Sequence, residues 1–258
     1  MKNIVPEPIT TKQLEILLLL YRFRFLNRIQ IQHFLNHKSD TRITSWLKDL
    51  TDRKIINRIY SQTINEINKP AVYYLGLNSR HILLQDKRCN PKLLKRVYRE
   101  KGSSPGFQEH WQFMADLYFY FHAVSKEQNA ELHFLSTTDL VDYSYLPLPL
   151  PDAYIAVKDK DQTKRYFLEL IDGTDKWFTV DTRVKQYNSY FKKQYWQSHV
   201  DYPFPKILFI LPHGKLKTHL QKFIKDQLKY ERIDIHFFLG IKGDIQQKGI
   251  QVNTWEAA

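Results

Sequence analysis

Hydroxyl and basic side chains recur on one face of a segment near the start of the 258-residue chain. The residues of this face are Thr41, Arg42, Thr44, Ser45 and Lys48. The opposite face has the i, i+3, i+4 and i+7 spacing of a helix buried on one side, with Ile43, Trp46, Leu47 and Leu50. Hydroxyls and cations on the exposed side can donate to phosphates or to base edges in the major groove of DNA. The alternative is a polar helix face that is only solvated.

The net charge of +12 is concentrated in the first part of the chain. Residues 1–100 hold 19 Lys and Arg against 8 Asp and Glu, whereas residues 101–258 hold 20 against 19. A basic excess confined to one segment is typical of a phosphate-binding module joined to a more neutral partner. We therefore predict an N-terminal domain that binds double-stranded DNA. A second basic run, from Asp86 to Lys101, is either a solvated face or a further phosphate contact.

The elements before the polar face predict two further helices. Thr10 and Gln13 have the spacing of a capping box at the start of a first helix. The predicted buried stripe of this helix is Leu14, Leu17, Leu18, Tyr21 and Phe25. A second helix is predicted over about 28–35, with core candidates Ile29, Phe34 and Leu35. The third helix, over about 41–53, then carries the polar face.

The elements after the third helix predict a wing. Segments 55–60 and 72–77 have the composition of short strands, and a polar loop separates them. Arg58 and Lys69, on this hairpin, join the predicted DNA-binding residues. Helices followed by a hairpin favour a winged helix-turn-helix, whose third helix enters the groove. Such folds also serve as protein-docking modules, which leaves a second interpretation open.

The rest of the chain predicts an α/β sheet with helices on its faces. A long amphipathic helix begins at Phe107 and runs to about Ser125. The segments predicted after it are strand 131–136, a hairpin of strands 153–157 and 165–171, helix 182–194, strand 206–211, helix 215–230 and strand 233–239. The stretch 101–107, rich in Gly, Ser and Pro, is the expected domain boundary.

Two carboxylates in this half could do chemistry. Asp152 follows Pro151 directly before the first hairpin strand, which is also a common place for a turn residue. Glu169 lies in the apolar segment FLELI, where a carboxylate must be paired, ligated or on the exposed alternate face. Taken singly, each of the two is more often a structural residue.

The order of Pro151-Asp152, a hairpin and Glu169 resembles the active site of the PD-(D/E)XK nuclease superfamily. The resemblance implies that Asp152 and Glu169 are metal ligands for Mg²⁺ or Mn²⁺, which would activate water and stabilise the leaving oxygen of a phosphodiester. In the superfamily a lysine lies two residues beyond the second acid, but here that position is Ile171. The further catalytic residues that the resemblance implies are a substitute cation, Lys185 or Lys176, and Glu109.

The chain as a whole, over about residues 10–255, resembles the replication-relaxation family of plasmid and mobile-element proteins. The segments that carry this resemblance are VYYLGLNSRHILL, Glu109-His110 at the start of the long helix, PDAYIAV, FLELIDGT and VKQY. The resemblance implies a DNA-binding winged helix joined to a nuclease-like fold. It also implies a role in the replication or transfer of mobile DNA.

These observations predict an α+β winged helix-turn-helix domain at 1–86, a basic linker helix and loop at 87–106, and an α/β PD-(D/E)XK nuclease-like domain at 107–258. The preferred function is a double-stranded DNA-binding protein of a mobile element, acting in replication, transfer or transposition. Its cleavage would be impaired because Ile171 replaces the expected lysine. The first alternative is a metal-dependent DNA endonuclease, and the second is a protein-docking adaptor in a replication or transposition complex.

Composition limits the remaining classes. The single cysteine, Cys89, gives neither a disulfide nor a pair of metal ligands. The start of the chain has no secretory signal pattern, and the apolar stretch LEILLLL is too short to cross a bilayer. We therefore expect a cytoplasmic protein without a membrane partner. Besides DNA, its expected partners are a second copy of itself or replication and transposition proteins.

Overall fold

The computed structural model of the chain describes residues 8–60, 69–160 and 162–258. Helices and strands alternate along the chain, and the strands form two sheets, which confirms a mixed α+β fold. The chain divides into two compact units, Met1–Asp116 and Leu117–Ala258. The division falls inside a long helix, about ten residues after the boundary expected from the sequence, because Phe107 and Trp111 of this helix pack with Phe25 of the first unit.

The first unit consists of short helices and a small antiparallel sheet. Its elements are α1 (Thr11–Phe23), β1 (Leu26–Asn27), α2 (Arg28–Phe34), α3 (Asp40–Asp52), β2 (Ile56–Ile59), β3 (Val72–Leu75), α4 (Ser79–Leu83), α5 (Pro91–Leu94) and α6 (Val97–Glu100). The strand order is β1-β3-β2, with Tyr73 of β3 paired to Leu26 on one side and to Arg58 on the other. The predicted wing loop between β2 and β3 lies at residues 61–68, outside the described residues.

Capping boxes start α1 and α2 and also connect these helices to others. The predicted box of Thr10 and Gln13 is confirmed, and the buried Gln13 amide additionally donates to Asp49 of α3 at 2.6 Å. Asn27 and Gln30 form an equivalent box at α2. A capping glutamine has one amide nitrogen to spare, so a single residue can both start a helix and fix its neighbour.

The core of the first unit corrects part of the predicted buried stripes. Leu17, Tyr21 and Phe25 are buried as predicted, but Leu14 and Leu18 are partly exposed, and Ile16 and Leu20 face the core instead. In α2 the predicted core residue Ile29 is 56% exposed, whereas Ile31 is fully buried. Residues two positions apart point to nearly opposite sides of a helix, so Ile29 and Ile31 cannot both face the core. The capping residue Gln30 and its neighbour Ile31 are the buried residues of α2.

Other predicted core positions are only partly buried. Phe34 and Leu35 at the end of α2 are intermediate in exposure, and Trp46 of α3 lies at the edge of the core against the ring of His37. Ile43, Leu47 and Leu50 form the buried face of α3 as predicted.

The basic run after α4 forms two short helices, not the single helix predicted. Asn90 caps α5, whose first residue is Pro91, and the chain turns again before α6. Leu94 and Val97 are buried, and Arg96 donates to the main-chain oxygen of Tyr21 in α1 at 2.6 Å. This segment is therefore part of the first unit and packs against α1.

The second unit is a mixed sheet with helices against it. Its elements are the end of α7 (Pro105–Glu127), β4 (Glu131–Ser136), α8 (Thr137–Leu140), β5 (Ala153–Lys158), β6 (Thr163–Leu170), α9 (Trp177–Lys192), α10 (Tyr195–His199), β7 (Lys206–Leu211), α11 (Gly214–Glu231), β8 (Phe237–Ile241), α12 (Lys242–Lys248), a 3-10 turn (Val252–Thr254) and β9 (Glu256–Ala257). The strand order is β4-β5-β6-β7-β8-β9. Among the strand pairs that the described residues form in this sheet, only β6-β7 and β7-β8 are parallel.

The parallel strands lie at the centre of this sheet, and their connections place α9 and α11 on one face. The predicted interior strand KILFIL is β7, between β6 and β8. Its alternate residues Ile207 and Phe209 pack with Val184 of α9 and Leu220 of α11 in one core. Helix α9 begins five residues earlier than predicted, and β8 begins four residues later. Among the described residues, no helix combines the length and the apolar character needed to cross a bilayer.

The inner face of α2 can be tested with a matched pair of variants. Ile31→Ala removes a fully buried side chain and should lower the free energy of unfolding by about 2–5 kcal/mol. Ile29→Ala, which truncates an exposed side chain of the same type, should change it by less than about 0.5 kcal/mol. Urea unfolding followed by circular dichroism measures both, and equal losses would contradict this orientation of α2.

Candidate functional site

The hairpin of β5 and β6 brings the two predicted acids together. Its register pairs Ala153 with Leu168, and the amide of Asp152 donates to the oxygen of Leu168 at 3.0 Å. Continuing this antiparallel register by one residue sets Asp152 opposite Glu169. The predicted adjacency of the two carboxylates therefore agrees with the backbone geometry.

Glu169 is buried and fully engaged by two side chains of α9. The Arg183 guanidinium donates to Oε2 through Nε at 2.9 Å and to Oε1 through a terminal nitrogen at 2.6 Å. The Tyr187 hydroxyl also donates to Oε1, at 2.5 Å. A bidentate guanidinium pair with an added hydroxyl donor is among the strongest ways to hold a carboxylate.

The periodicities of β6 and α9 explain why these three side chains meet. Glu169 shares one face of β6 with Phe167 and is directed at the helix that covers this face, because alternate residues of a strand point the same way. On α9, Arg183 and Tyr187 are four residues apart and so lie on one side of the helix. The guanidinium also lies 4.6 Å from the centroid of the Tyr187 ring.

Burial governs the protonation of this cluster. Burial raises the pKa of Glu169, and the adjacent Arg183 acts in the opposite direction. Burial and the charge of Glu169 raise the pKa of Tyr187 well above its ordinary value, so its hydroxyl stays protonated and can donate. Although burial disfavours a charged guanidinium, Tyr187 and Glu169 together raise the pKa of Arg183.

Asp152 is half-buried and bonded to the main chain. Its Oδ2 accepts from the amide of Leu170 at 2.7 Å, and its own main-chain oxygen accepts from the amide of Thr137 at 2.9 Å. These bonds fasten the start of β5 to the end of β6 and to α8. The carboxylate thus has a structural role at the end of the hairpin.

The position that a nuclease lysine would take is part of the hydrophobic core. Ile171 is 9% exposed and belongs to the cluster formed by β6, β7, α9 and α11. Its amide donates to the main-chain oxygen of Ile210 in β7 at 2.9 Å, which extends the parallel pairing of the two chain segments beyond the end of β6. A lysine here would have to bury its ammonium among apolar side chains.

The other predicted catalytic residues lie outside the Glu169 cluster. Lys185 is exposed on α9, and its Nζ is 5.6 Å from the centroid of the Phe223 ring. Lys176, the N-cap residue of α9, is exposed with its Nζ 5.9 Å from the centroid of its neighbour Phe178. Glu109 is exposed on α7 in the first unit, whereas Asp152 and Glu169 belong to the second.

This donor set does not fit a divalent cation as it is arranged. Arg183 and Tyr187 take both oxygens of Glu169, and the guanidinium supplies the positive charge that a metal would bring. In the described part of the chain, no group of three or more His, Cys, Asp or Glu side chains could hold a metal ion. The binding of Mg²⁺ or Mn²⁺ stays a prediction.

The predicted DNA-binding face of α3 is exposed throughout. Thr41, Arg42, Thr44, Ser45 and Lys48 all face solvent on the first unit. Ser39 caps the helix by accepting from the amide of Arg42 at 3.3 Å, which fixes where this face begins. Among the described residues, neither Arg42 nor Lys48 forms an ion pair.

The two hairpin residues of the predicted interface are exposed as well. Arg58, on β2, lies 5.2 Å from the centroid of the Tyr60 ring, and Lys69 precedes β3. Their part in DNA binding stays a prediction, because the loop that connects them lies outside the described residues.

Sequence reasoning missed the partners of Glu169. A cation of a polar helix more often faces solvent or a phosphate, and an aromatic side chain more often packs in the core, so neither Arg183 nor Tyr187 stands out in the sequence as a partner of Glu169. The available signal is the requirement that a carboxylate in an apolar strand be paired. Combined with an Arg and a Tyr four residues apart on the following helix, this requirement points to the pair that the structure contains.

Comparison with protein families gives a match that covers most of the chain. The sequence model of the family described as replication-relaxation matches residues 17–203. The chain belongs to the replication-relaxation family. The matched region of this replication-relaxation chain includes α3, the β5-β6 hairpin and α9. No curated protein matches it.

Solved structures resemble the replication-relaxation chain only distantly. A variant of ZitR from Lactococcus lactis is 19% identical, with 47% of this chain and 77% of ZitR covered and a TM-score of 0.27. The restriction endonuclease FokI is 14% identical, with 94% of this chain and 44% of FokI covered and a TM-score of 0.34. FokI bound to DNA gives 12% identity, coverages of 94% and 46%, and a TM-score of 0.32. The replication-relaxation chain thus spans less than half of FokI.

The structural role of Arg183 can be tested by unfolding. Arg183→Met leaves Glu169 buried without its partner and should lower the free energy of unfolding by about 3–5 kcal/mol. Lys185→Met, on the exposed side of the same helix, should change it by less than about 0.5 kcal/mol. The double variant Glu169→Leu/Arg183→Met should recover most of the loss, because no lone charge remains buried. A loss for Arg183→Met as small as that for Lys185→Met would contradict this role.

Proposed function

We propose that this replication-relaxation protein binds double-stranded DNA of a mobile element and acts in the replication, transfer or transposition of that DNA. Its second unit is nuclease-like in arrangement but does not cleave efficiently. The observation that carries the proposal is the exposed face of α3, which lies in the basic part of the chain and presents hydroxyls together with cations that form no ion pair with any described residue.

The order of elements supports a winged helix-turn-helix in the first unit. Helices α1, α2 and α3 are followed by the β2-β3 hairpin, and β1 completes the small sheet. In this fold the third helix enters the major groove. The α3 face offers cations for phosphates and hydroxyls for base edges, which is the combination that positions a protein on a duplex and reads it.

The surroundings of Glu169 support the absence of efficient cleavage. A metal-dependent nuclease needs carboxylates that can ligate a cation and a group that can stabilise the developing charge. Here the Glu169 oxygens are bonded to Arg183 and Tyr187, and Ile171 is a core residue. This part of the proposed function rests on those contacts.

Duplex binding can be tested at α3 with a charge-matched control. Arg42→Ala/Lys48→Ala should weaken binding to a labelled duplex, and the plot of log affinity against log salt should become shallower by roughly 1.8, since each phosphate contact contributes about 0.9. Lys222→Ala/Lys225→Ala removes the same charge from exposed positions of α11 and should leave this slope unchanged. Fluorescence anisotropy at several salt concentrations measures both.

Two results would count against the duplex-binding proposal. Full affinity and an unchanged slope in the α3 double variant would exclude this face as the duplex contact. Binding of the wild type to a replication or transposition protein, without any affinity for DNA, would favour the adaptor function instead.

Cleavage is the second candidate function, because the hairpin does set Asp152 opposite Glu169. We expect no nicking of supercoiled plasmid, and no cutting of linear duplex, with Mg²⁺ or Mn²⁺ even at high protein concentration. Gel electrophoresis after prolonged incubation checks this. Metal-dependent nicking that disappears in both Asp152→Ala and Glu169→Ala, but survives in Lys222→Ala on α11, would establish an endonuclease and overturn this half of the proposal.

A further inference from the structure

A second group of cations surrounds a pocket in the first unit. The pocket has a volume of about 500 Å³ and is lined by Arg80, Lys92, Lys95, Arg96, Tyr98 and Arg99. We name it the α5–α6 pocket, after the short helices that provide most of these residues. No acidic residue of the described chain lines it, so it combines a concave shape with a single sign of charge.

Most of the pocket cations have no acidic partner in the part of the chain that the structure describes. Arg96 is fixed by its bond to the Tyr21 oxygen, and its Nε lies 3.7 Å from Glu100. By contrast, Arg80, Lys92, Lys95 and Arg99 are exposed and form no ion pair with any described residue. Like charges held close together repel one another, and an anion between them relieves this repulsion.

Tyr98 adds an aromatic surface to the pocket. Its side chain is 60% exposed. The Nε of Arg99 donates to the Tyr98 hydroxyl at 2.8 Å, and the guanidinium lies 5.3 Å from the ring centroid. The ring is thus held in contact with solvent beside a cation, although burying it elsewhere would be favourable.

We propose that the α5–α6 pocket binds unpaired DNA, with backbone phosphates on Lys92, Lys95 and Arg99 and a base stacked on Tyr98. Proteins that bind single strands combine a basic groove with aromatic rings on which bases stack. A duplex fits this pocket less well, because its bases are stacked on one another and offer no free face to a tyrosine. The proposal adds a second nucleic-acid site to the duplex contact at α3.

The charge contribution can be measured with a single-stranded probe. Lys92→Ala/Lys95→Ala should weaken binding of a labelled oligothymidylate and make the log–log salt dependence shallower by roughly 1.4, since each single-strand phosphate contact contributes about 0.7. The control Lys222→Ala/Lys225→Ala removes the same charge from α11. Equal effects of the two double variants would overturn the proposal, because the attraction would then be a property of net charge alone.

The stacking contribution is measured at Tyr98 itself. Tyr98→Leu should weaken oligothymidylate binding about fivefold or more, whereas Tyr98→Phe keeps the ring and should retain the affinity. Neither substitution should alter binding of a blunt duplex. Wild-type affinity of Tyr98→Leu for the single strand would overturn the proposal, and so would a loss confined to the duplex, which would assign the pocket to duplex backbone.

The two nucleic-acid proposals fail separately. In Arg42→Ala/Lys48→Ala, duplex affinity should fall while oligothymidylate affinity is maintained. In the pocket variants Lys92→Ala/Lys95→Ala and Tyr98→Leu, oligothymidylate affinity should fall while duplex affinity is maintained. If only the pocket variants have an effect, the duplex proposal fails and the single-strand site stands. If only the α3 variant has an effect, the single-strand site is overturned and the duplex proposal stands.

Discussion

The buried pair of Glu169 and Arg183 is the interaction on which the second unit depends. Removing two opposite charges from water carries a penalty of several kcal/mol per ion, which is offset only by good geometry and by satisfied hydrogen bonds. The bidentate contact and the Tyr187 hydroxyl meet that condition. As a result, α9 cannot rotate or slide along the sheet without leaving a charge unpaired, and the position of this helix is fixed more specifically than apolar packing alone would fix it.

The same pair is the reason why we propose that the β5-β6 hairpin does not cleave DNA efficiently, although it sets two carboxylates opposite each other. A catalytic carboxylate must remain available to a cation or to water, whereas Glu169 is closed in by α9. Ile171, two residues further on, continues the apolar core along the same strand face. Both positions therefore contribute to the contact between sheet and helix, and this explains why the proposed function places recognition in the first unit rather than chemistry in the second.

A residue's role could be predicted from the sequence only where the signal for it lies in nearby residues. Helix α3 was predictable because its cap and its apolar spacing are both local. The sequence shows that Glu169 must be paired, ligated or exposed, but its partner depends on which cation of α9 faces inward. Arg183 and Lys185 are two residues apart and point to nearly opposite sides of α9, and the packing of Val184 and Tyr187 in the core decides which of the two faces inward. Ile29 and Ile31 in α2 show the same ambiguity of helix phase, which only tertiary contacts resolve.

Charge pairing also determines where the basic excess of the first unit can act. Several of its acids are used internally, since Glu15, Asp49, Asp86 and Glu100 contact Lys12, Arg53, Arg88 and Arg24. The net positive charge therefore falls on side chains that have no acidic partner among the described residues. At these side chains, which include Arg42 and Lys48 of α3 and Lys92, Lys95 and Arg99 of the α5–α6 pocket, a phosphate would displace water and counterions instead of a carboxylate. Binding there requires no internal ion pair to break, and that condition is shared by both proposed nucleic-acid surfaces.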